Sequence, residues 1–434
     1  MVATSLREEV TSLLQELIRL NTVNPPGNET AAAKLLRDYL EPFGVECELY
    51  SRVPERANLV ARIRGSGDGP RLLFLSHTDT VLADPLEWTV DPWSGELRDG
   101  QIWGRGALDM KGQVAASAVA IASLARESFR PSGDLIFAAT ADEEVGDDPD
   151  FGLSWLCREH PEAVRCEFAV NEGAGDRVEV GGRPYYLCAA AEKMSSPFVL
   201  LVHGRSGHAS LPSIADNALV KAAGLIEAIA EIEPPPELIP EVEALLATLG
   251  VSVSDPAGAL AAAHALDPTA ATMIEPLLSL TLSPTMISAS QKRNVIPALT
   301  EVTVDCRLLP GQTQGYADAL IRERLGAGDY EIAWRAGQGG TRSPMDTPLW
   351  AAAESFIAET EPGARVAPIC VAGFTDSHWL REAFGTVAYG FFPVKKMDPD
   401  LAARLVHSAD ERAEVDDLEL GVHWLRHAAH AIGS

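Results

Sequence analysis

The sequence predicts an α/β protein, a mixed and largely parallel sheet flanked by helices, with a smaller α+β module inserted into it. Three observations carry that class. Between residues 58 and 171 apolar runs of strand length alternate with helical patterns, the signature of a largely parallel sheet. The middle of the chain changes rhythm to strand, helix, strand, strand. After Gly311 the α/β rhythm resumes. A chain of 434 residues is long enough for such a division. The expected boundaries are 1–192 and 312–434 for the larger domain and 193–311 for the inserted one, a lid or dimerisation module.

The elements follow in order. Ser5-Leu-Arg-Glu8 is a capping box, and Leu6, Val10, Leu13, Leu14, Leu17 and Ile18 continue it at helical spacing. Asn24-Pro25-Pro26-Gly27 ends that helix in a loop, and a second helix spans 29–43. Strands are expected at 58–64, 71–76, 134–140 and 166–171, helices at 111–126 and 151–159. The apolar stretch 114–125 is Ala-rich and too short for a bilayer, so it reads as a buried helix. A strand at 197–202 and a helix at 214–232 open the module. Residues 234–266 are rich in Pro and Ala with weaker periodicity, and β-rich runs at 277–290 and 298–308 end at Leu309-Pro310-Gly311. An amphipathic helix closes the chain at 415–432.

Composition limits the partners. The chain is 46% hydrophobic and 22% charged, as in a soluble globular protein. Its formal charge of −27, from 35 basic and 62 acidic residues, argues against nucleic acid or an anionic membrane. MVATSLREEV lacks the apolar core of a secretory signal. Cys47, Cys157, Cys166, Cys188, Cys306 and Cys370 are scattered without a CxxC, which suits reduced thiols in a cytoplasmic protein.

Functional residues of an open α/β sheet gather past the carboxyl ends of its strands. His77 and Asp79 in FLSHTDTV follow an apolar strand and share one face. Asp109 lies in the glycine-rich WGRGALDMKG, Glu143 and Glu144 in ATADEEVG, and Glu172 in NEG. Each alone has an ordinary explanation: a surface His–Asp pair, a helix cap, a solvated turn. Together they would repel one another unless cations sat among them. Imidazole and carboxylate suit zinc, and the same donors serve manganese or cobalt. Gly104-x-Gly106 is no dinucleotide fingerprint, because Asp109 stands where glycine is needed. HGRSGHAS holds no G-x-S-x-G elbow.

In family order, HTDTV, EWTVDPWSGELRDGQIWGRGALDMKG, DEEVG, NEG and VHSADE resemble the M20 metallopeptidases. That family includes aminoacylase-1, carboxypeptidase S, acetylornithine deacetylase, succinyl-diaminopimelate desuccinylase and the glutamate carboxypeptidases. The resemblance implies two divalent ions. His77, Asp109 and Glu172 would hold one, and Asp109, Glu144 and His407 the other, with Asp109 bridging. Asp79 would orient His77. Glu143 matches the general base, which takes a proton from water and later delivers it to the leaving amine. His208 in HGRSGHAS matches the histidine that stabilises the oxyanion, in many members across a dimer interface. Without the resemblance it is a turn residue.

Asn294 and Arg307 in RNVIPALTEVTVDCRLLPG, with Gly373 and Thr375 in AGFTDSHW, match substrate contacts. Phe374 departs from the small residue common in relatives, and Arg307 equally suits a salt bridge with Asp305. His160, His203, His264, His423, His427 and His430 read as structural. The expected substrate is small: an N-acyl amino acid or a short peptide with a free carboxylate. Glu172, where some dipeptidases carry aspartate, leans toward an acylase, deacylase or carboxypeptidase. A dipeptidase, and a non-catalytic binder of amino acid derivatives, are the alternatives. The resemblance also implies a homodimer formed through the inserted module.

Overall fold

The computed structural model describes residues 5–145, 150–266, 270–271 and 274–434. The chain divides into two compact units, one of residues up to Ala190 with Ser343–Ile369 and Thr375–Ser434, the other of Ala191–Arg342 with Cys370–Phe374.

The larger unit is built on a nine-stranded mixed sheet. Its order is Glu46–Ser51, Ala57–Ile63, Leu135–Thr140, Leu72–His77, Phe168–Asn171, Val387–Gly390, Arg183–Glu192 and Arg365–Val371, with Arg177–Val180 pairing Arg183–Glu192. The four central strands, from Leu135–Thr140 to Val387–Gly390, run parallel. Glu46–Ser51 and Ala57–Ile63 pair antiparallel beyond them. Register aligns His77 with Thr140 and Asn171 with Gly390, so these carboxyl ends share one edge of the sheet.

Alternation buries both faces, as a sheet covered by helices on each side requires. Leu59, Phe74 and Phe137 pack with Leu14, Val119, Phe356 and Trp424, which come from helices Leu6–Arg19, Lys111–Arg126, Pro348–Thr360 and Val415–Gly433. Leu73, Leu75, Ile136 and Ala138 face Leu153, Leu156 and Leu380 on the other side. The 111–126 helix is buried from Lys111 to Leu124, and its alanines let it lie close against its neighbours. The capping box at Ser5 forms with Glu8.

The smaller unit has a six-stranded antiparallel sheet in which Phe198–His203 lies between Tyr330–Trp334 and Leu299–Leu308. Its core joins Phe198, Val202, Ile229, Val302, Ala317 and Ile321. The boundary expected at Gly311 is displaced to Arg342. Leu309-Pro310-Gly311 is a turn inside the unit: Thr313 caps the helix Gln314–Leu325, and the following strand registers Trp334 against Phe198. Residues 234–266 hold two helices, Pro240–Thr248 and Pro256–Leu266.

Candidate metal centre

Three parallel strands deliver acid and imidazole to one edge. His77 ends its strand, Glu143 and Glu144 follow Thr140, and Glu172 follows Asn171. Asp109 arrives on the loop before Lys111 and His407 on the segment after helix Pro399–Leu405. The two oxygens of Asp109 face different imidazoles. His77 Nε2 lies 3.2 Å from Oδ1, and His407 Nε2 lies 3.0 Å from Oδ2. Glu172 Oε1 is 3.6 Å from His77 Nε2, and Glu144 Oε2 is 3.3 Å from His407 Nε2. Donor atoms of His77, Asp109 and Glu144 lie within 4.8 Å of one another, as do those of His77, Glu143 and Glu172.

The surroundings aim these groups. His77 Nδ1 donates to the carbonyl of Asp79 at 3.1 Å, which leaves Nε2 free to face the carboxylates. The Asp79 carboxylate, 3.5 Å from Nδ1, is spent mainly on the next loop. It accepts the N–H of Glu143 at 3.2 Å, the N–H of Glu144 at 3.0 Å and Asn24 Nδ2 at 2.9 Å. Asp79 therefore fixes the Glu143–Glu144 turn as much as it fixes His77. Burial works to raise its pKa, but His77 and these donors hold it below the usual range.

Charge at the site is unbalanced. Burial drives Glu143 well above the usual carboxylate range, with Glu172 adding to the rise and His77 opposing it. Burial likewise pushes Glu172 up to about 7. Asp109 stays low because His407 and His77 outweigh its burial, and hydrogen bonds to Asp109 and Glu144 raise His407 to about 10. Glu144 Oε1 is buried without a hydrogen-bond partner among the described residues. An excess of half-buried carboxylates around two imidazoles, one carboxylate with an orphaned oxygen, is a donor set that fits divalent cations.

Residues 73–431 match Peptidase family M20/M25/M40. The chain belongs to this family. It is therefore a hydrolase of the metallopeptidase and amidohydrolase kind. Succinyl-diaminopimelate desuccinylase of Cereibacter sphaeroides is 28% identical over 430 residues, covering 94% of each chain. That of Rhodospirillum centenum is 34% identical over 233 residues, covering 50% of this chain and 56% of the relative. An M20 metallo-carboxypeptidase from Sulfolobus solfataricus superposes with a TM-score of 0.75 at 19% identity, covering 98% of this chain and 99% of that one. A dinuclear metal-binding M20 peptidase from Bacillus subtilis gives 0.59 at 13%, covering 98% of both chains.

The other residues expected in this M20 chain are placed as follows. Thr375 belongs to the larger unit, where its Oγ1 accepts the N–H of Ser377 at 3.2 Å and its carbonyl faces His378 Nδ1 at 2.7 Å. His208, Asn294, Arg307 and Gly373 belong to the smaller unit. His208 Nδ1 accepts the N–H of Ser210 at 3.3 Å and lies 2.7 Å from its Oγ, so Nε2 carries the proton of the neutral ring. The Asn294 carbonyl accepts the N–H of Ala209 at 3.0 Å. Arg307 forms the salt bridge with Asp305, its Nε and Nη2 each 3.0 Å from a carboxylate oxygen. Gly373 is exposed, and a Cβ there would meet open space.

Several residues at the site escaped the sequence reading. Glu411 is fully buried and accepts the N–H groups of Gly106, Leu108 and Asp109 at 2.7–3.0 Å, with Arg105 Nη1 at 2.6 Å. It thereby ties the Asp109 loop to the His407 segment. Asp142, at φ +69°, accepts Arg56 Nη2 at 2.7 Å and Asn24 Nδ2 at 3.1 Å on one oxygen. Its other oxygen takes the N–H of Asp150 and of Phe151. Asp376, buried, accepts Thr140 Oγ1 at 3.3 Å, and burial lifts its pKa to about 7. Glu411 and Asp142 stand in the quoted motifs VHSADE and ADEEVG, which was the available signal. The glycines before Asp109 serve clearance: a Cβ on Gly104 would meet Ile18 Cγ2 at 2.4 Å, and one on Gly106 would meet Thr80 Cγ2 at 2.8 Å.

Proposed function

We propose that the protein is a two-metal amidohydrolase that cleaves N-acyl amino acids, or short peptides with a free carboxylate. One observation carries this reading: the oxygens of Asp109 face His77 and His407 separately, with Glu172 beside the first and Glu144 beside the second. His77, Asp109 and Glu172 would hold one cation, and Asp109, Glu144 and His407 the other, zinc being the best match to the donors. Such cations polarise the scissile carbonyl and lower the pKa of water.

The chain's own groups do the rest. Glu143, pinned through its N–H by Asp79, takes the proton from water and returns it to the leaving nitrogen. His208, with its proton on Nε2, donates to the oxygen that gains charge as the carbonyl is attacked. Asn294, Arg307, Gly373 and Thr375 are proposed to contact the substrate. Arg307 can take a carboxylate only by sharing its guanidinium with Asp305.

The exposed apolar side chains Met286 and Ile287 on edge strand Thr281–Ser288, with Leu219 and Val220 on helix Ala218–Ala230, support a homodimer through the smaller unit. The relatives named as desuccinylases cleave N-acyl groups, which supports the acyl amino acid class over the dipeptidase alternative. The test is hydrolysis of N-acyl amino acids and dipeptides, with chelator and after zinc is restored. Release of free amine that disappears with chelator and returns with zinc is expected. Ligand binding without amine release would establish the non-catalytic alternative.

A further inference from the structure

The segment Asn24-Pro25-Pro26-Gly27 does more than end the first helix: within the larger unit it encloses one guanidinium. Arg56, its side chain 8% exposed, donates from Nη1 to the Pro26 carbonyl at 3.2 Å. Its Nε and Nη2 make a fork on the two oxygens of fully buried Glu29, at 2.6 and 2.8 Å. A Cβ on Gly27 would meet Arg56 Nε at 2.3 Å and Cζ at 2.4 Å, so glycine leaves the space that the guanidinium fills. The guanidinium also lies over the Phe151 ring, with Cζ 4.9 Å from the centroid.

This cradle is aimed at the turn that carries Glu143 and Glu144. Arg56 Nη2 donates to Asp142 Oδ1 at 2.7 Å. Asn24 Nδ2 joins the same oxygen, at 3.1 Å, to Asp79 Oδ2, at 2.9 Å. Asp79 in turn accepts the N–H groups of Glu143 and Glu144. Asn24 is itself held, its N–H donating to the Thr80 carbonyl at 2.9 Å. Asn58 Oδ1 accepts the N–H of Ala141 at 2.9 Å, so each residue from 141 to 144 is held by a side chain of Asn24, Arg56, Asn58 or Asp79. The left-handed backbone of Asp142, φ +69°, persists only because such surroundings fix it.

Three carboxylates share this network: Glu29, Asp79 and Asp142. His77 Nδ1 lies 3.5 Å from Asp79, and Lys111, whose charge also acts on Glu29 and Asp79, donates to the carbonyls of Leu17 and Leu20. Among the described residues, Arg56 is the one cationic side chain within 4 Å of the Asp142 carboxylate. Desolvation offsets much of what a buried ion pair contributes to stability, whereas a forked guanidinium fixes the positions of its partners.

We propose that Arg56 and Asn24 are positioning residues for the Glu143–Glu144 turn, acting through Asp142 and Asp79. The proposal rests on the two-metal amidohydrolase reading, in which that turn supplies the proton acceptor and one metal ligand, and it gives the loop at 24–29 a part in the reaction.

The experiment titrates zinc from the zinc-loaded enzyme with a competing chelator, and follows turnover of N-acetylmethionine and N-succinylmethionine at saturating zinc. Arg56→Lys keeps the charge and loses the fork. Asn24→Ala removes the amide and gives the same readouts if the first variant folds poorly. The expected result is zinc held about 10- to 100-fold more weakly. At saturating zinc kcat should fall about 10- to 100-fold while KM stays within about twofold. Glu361→Gln, which removes a salt bridge to Arg177 elsewhere in the larger unit, is the destabilised control and should keep wild-type zinc affinity and kcat. Wild-type affinity and kcat in a folded cradle variant, a rise in KM alone, or equal losses in the control would overturn the proposal. Absence of turnover by the wild type would contradict the amidohydrolase reading instead, and the zinc titration would still decide what the cradle does.

Discussion

Glu143 and Glu144 are neighbours given different surroundings. Glu144 faces His407 at 3.3 Å, while both residues donate their N–H groups to the Asp79 carboxylate. Glu143→Gln keeps the shape and removes the proton acceptor. It should retain its metal, by elemental analysis, while kcat falls about 100- to 10,000-fold. Near-normal turnover would remove Glu143 from the mechanism. His77 stands out from the residues around it, whereas His407 enters only through the resemblance. Arg56, Asp142 and Glu411 were hidden because a carboxylate or guanidinium in a motif looks the same whether it meets a cation, a backbone N–H or another side chain. Only the fold brings Arg105, Gly106, Leu108 and Asp109 to Glu411.

Among elements, the loops are held by a few buried or half-buried acids. Glu411→Gln should weaken metal affinity about 10- to 100-fold in a competitive chelator titration, because the Asp109 loop loses its anchor. Wild-type affinity would show that the loop holds itself. Glu361, just past helix Pro348–Thr360, joins that helix to Arg177 and Tyr186 on neighbouring strands. The Arg177 hydrogen bond, with Tyr186 and Lys395, outweighs partial burial and lowers the Glu361 pKa to about 2. A carboxyl depressed on folding stabilises above its unfolded pKa and loses that contribution as pH falls through the folded value. Glu361→Gln should therefore cost on the order of 1–2 kcal/mol at pH 7, allowing for partial exposure. In urea unfolding curves the difference should shrink from about pH 5 downward and vanish near pH 2; a pH-independent difference would refute the ionic origin. Central strands and the 111–126 helix were legible from continuous apolar runs. The displaced module boundary was not, since Pro-Gly marks a turn equally inside a unit and between units.

For the whole molecule, the proposed homodimer would have to bury the apolar strand edge of the smaller unit, with Met286 and Ile287 exposed, against the mutual repulsion of chains of formal charge −27. Ile287→Asp should convert a dimer to a monomer by light scattering, and a monomeric wild type would contradict the proposed interface. Among the described residues, separate apolar clusters cover the two faces of the larger sheet, and another fills the smaller unit. The number and position of ions decide the rest. Crystals of the zinc-loaded enzyme measured at the zinc absorption edge should give two anomalous peaks on either side of Asp109, one toward His77 and Glu172 and one toward His407 and Glu144. A single peak, or peaks away from Asp109, would contradict the shared-aspartate centre.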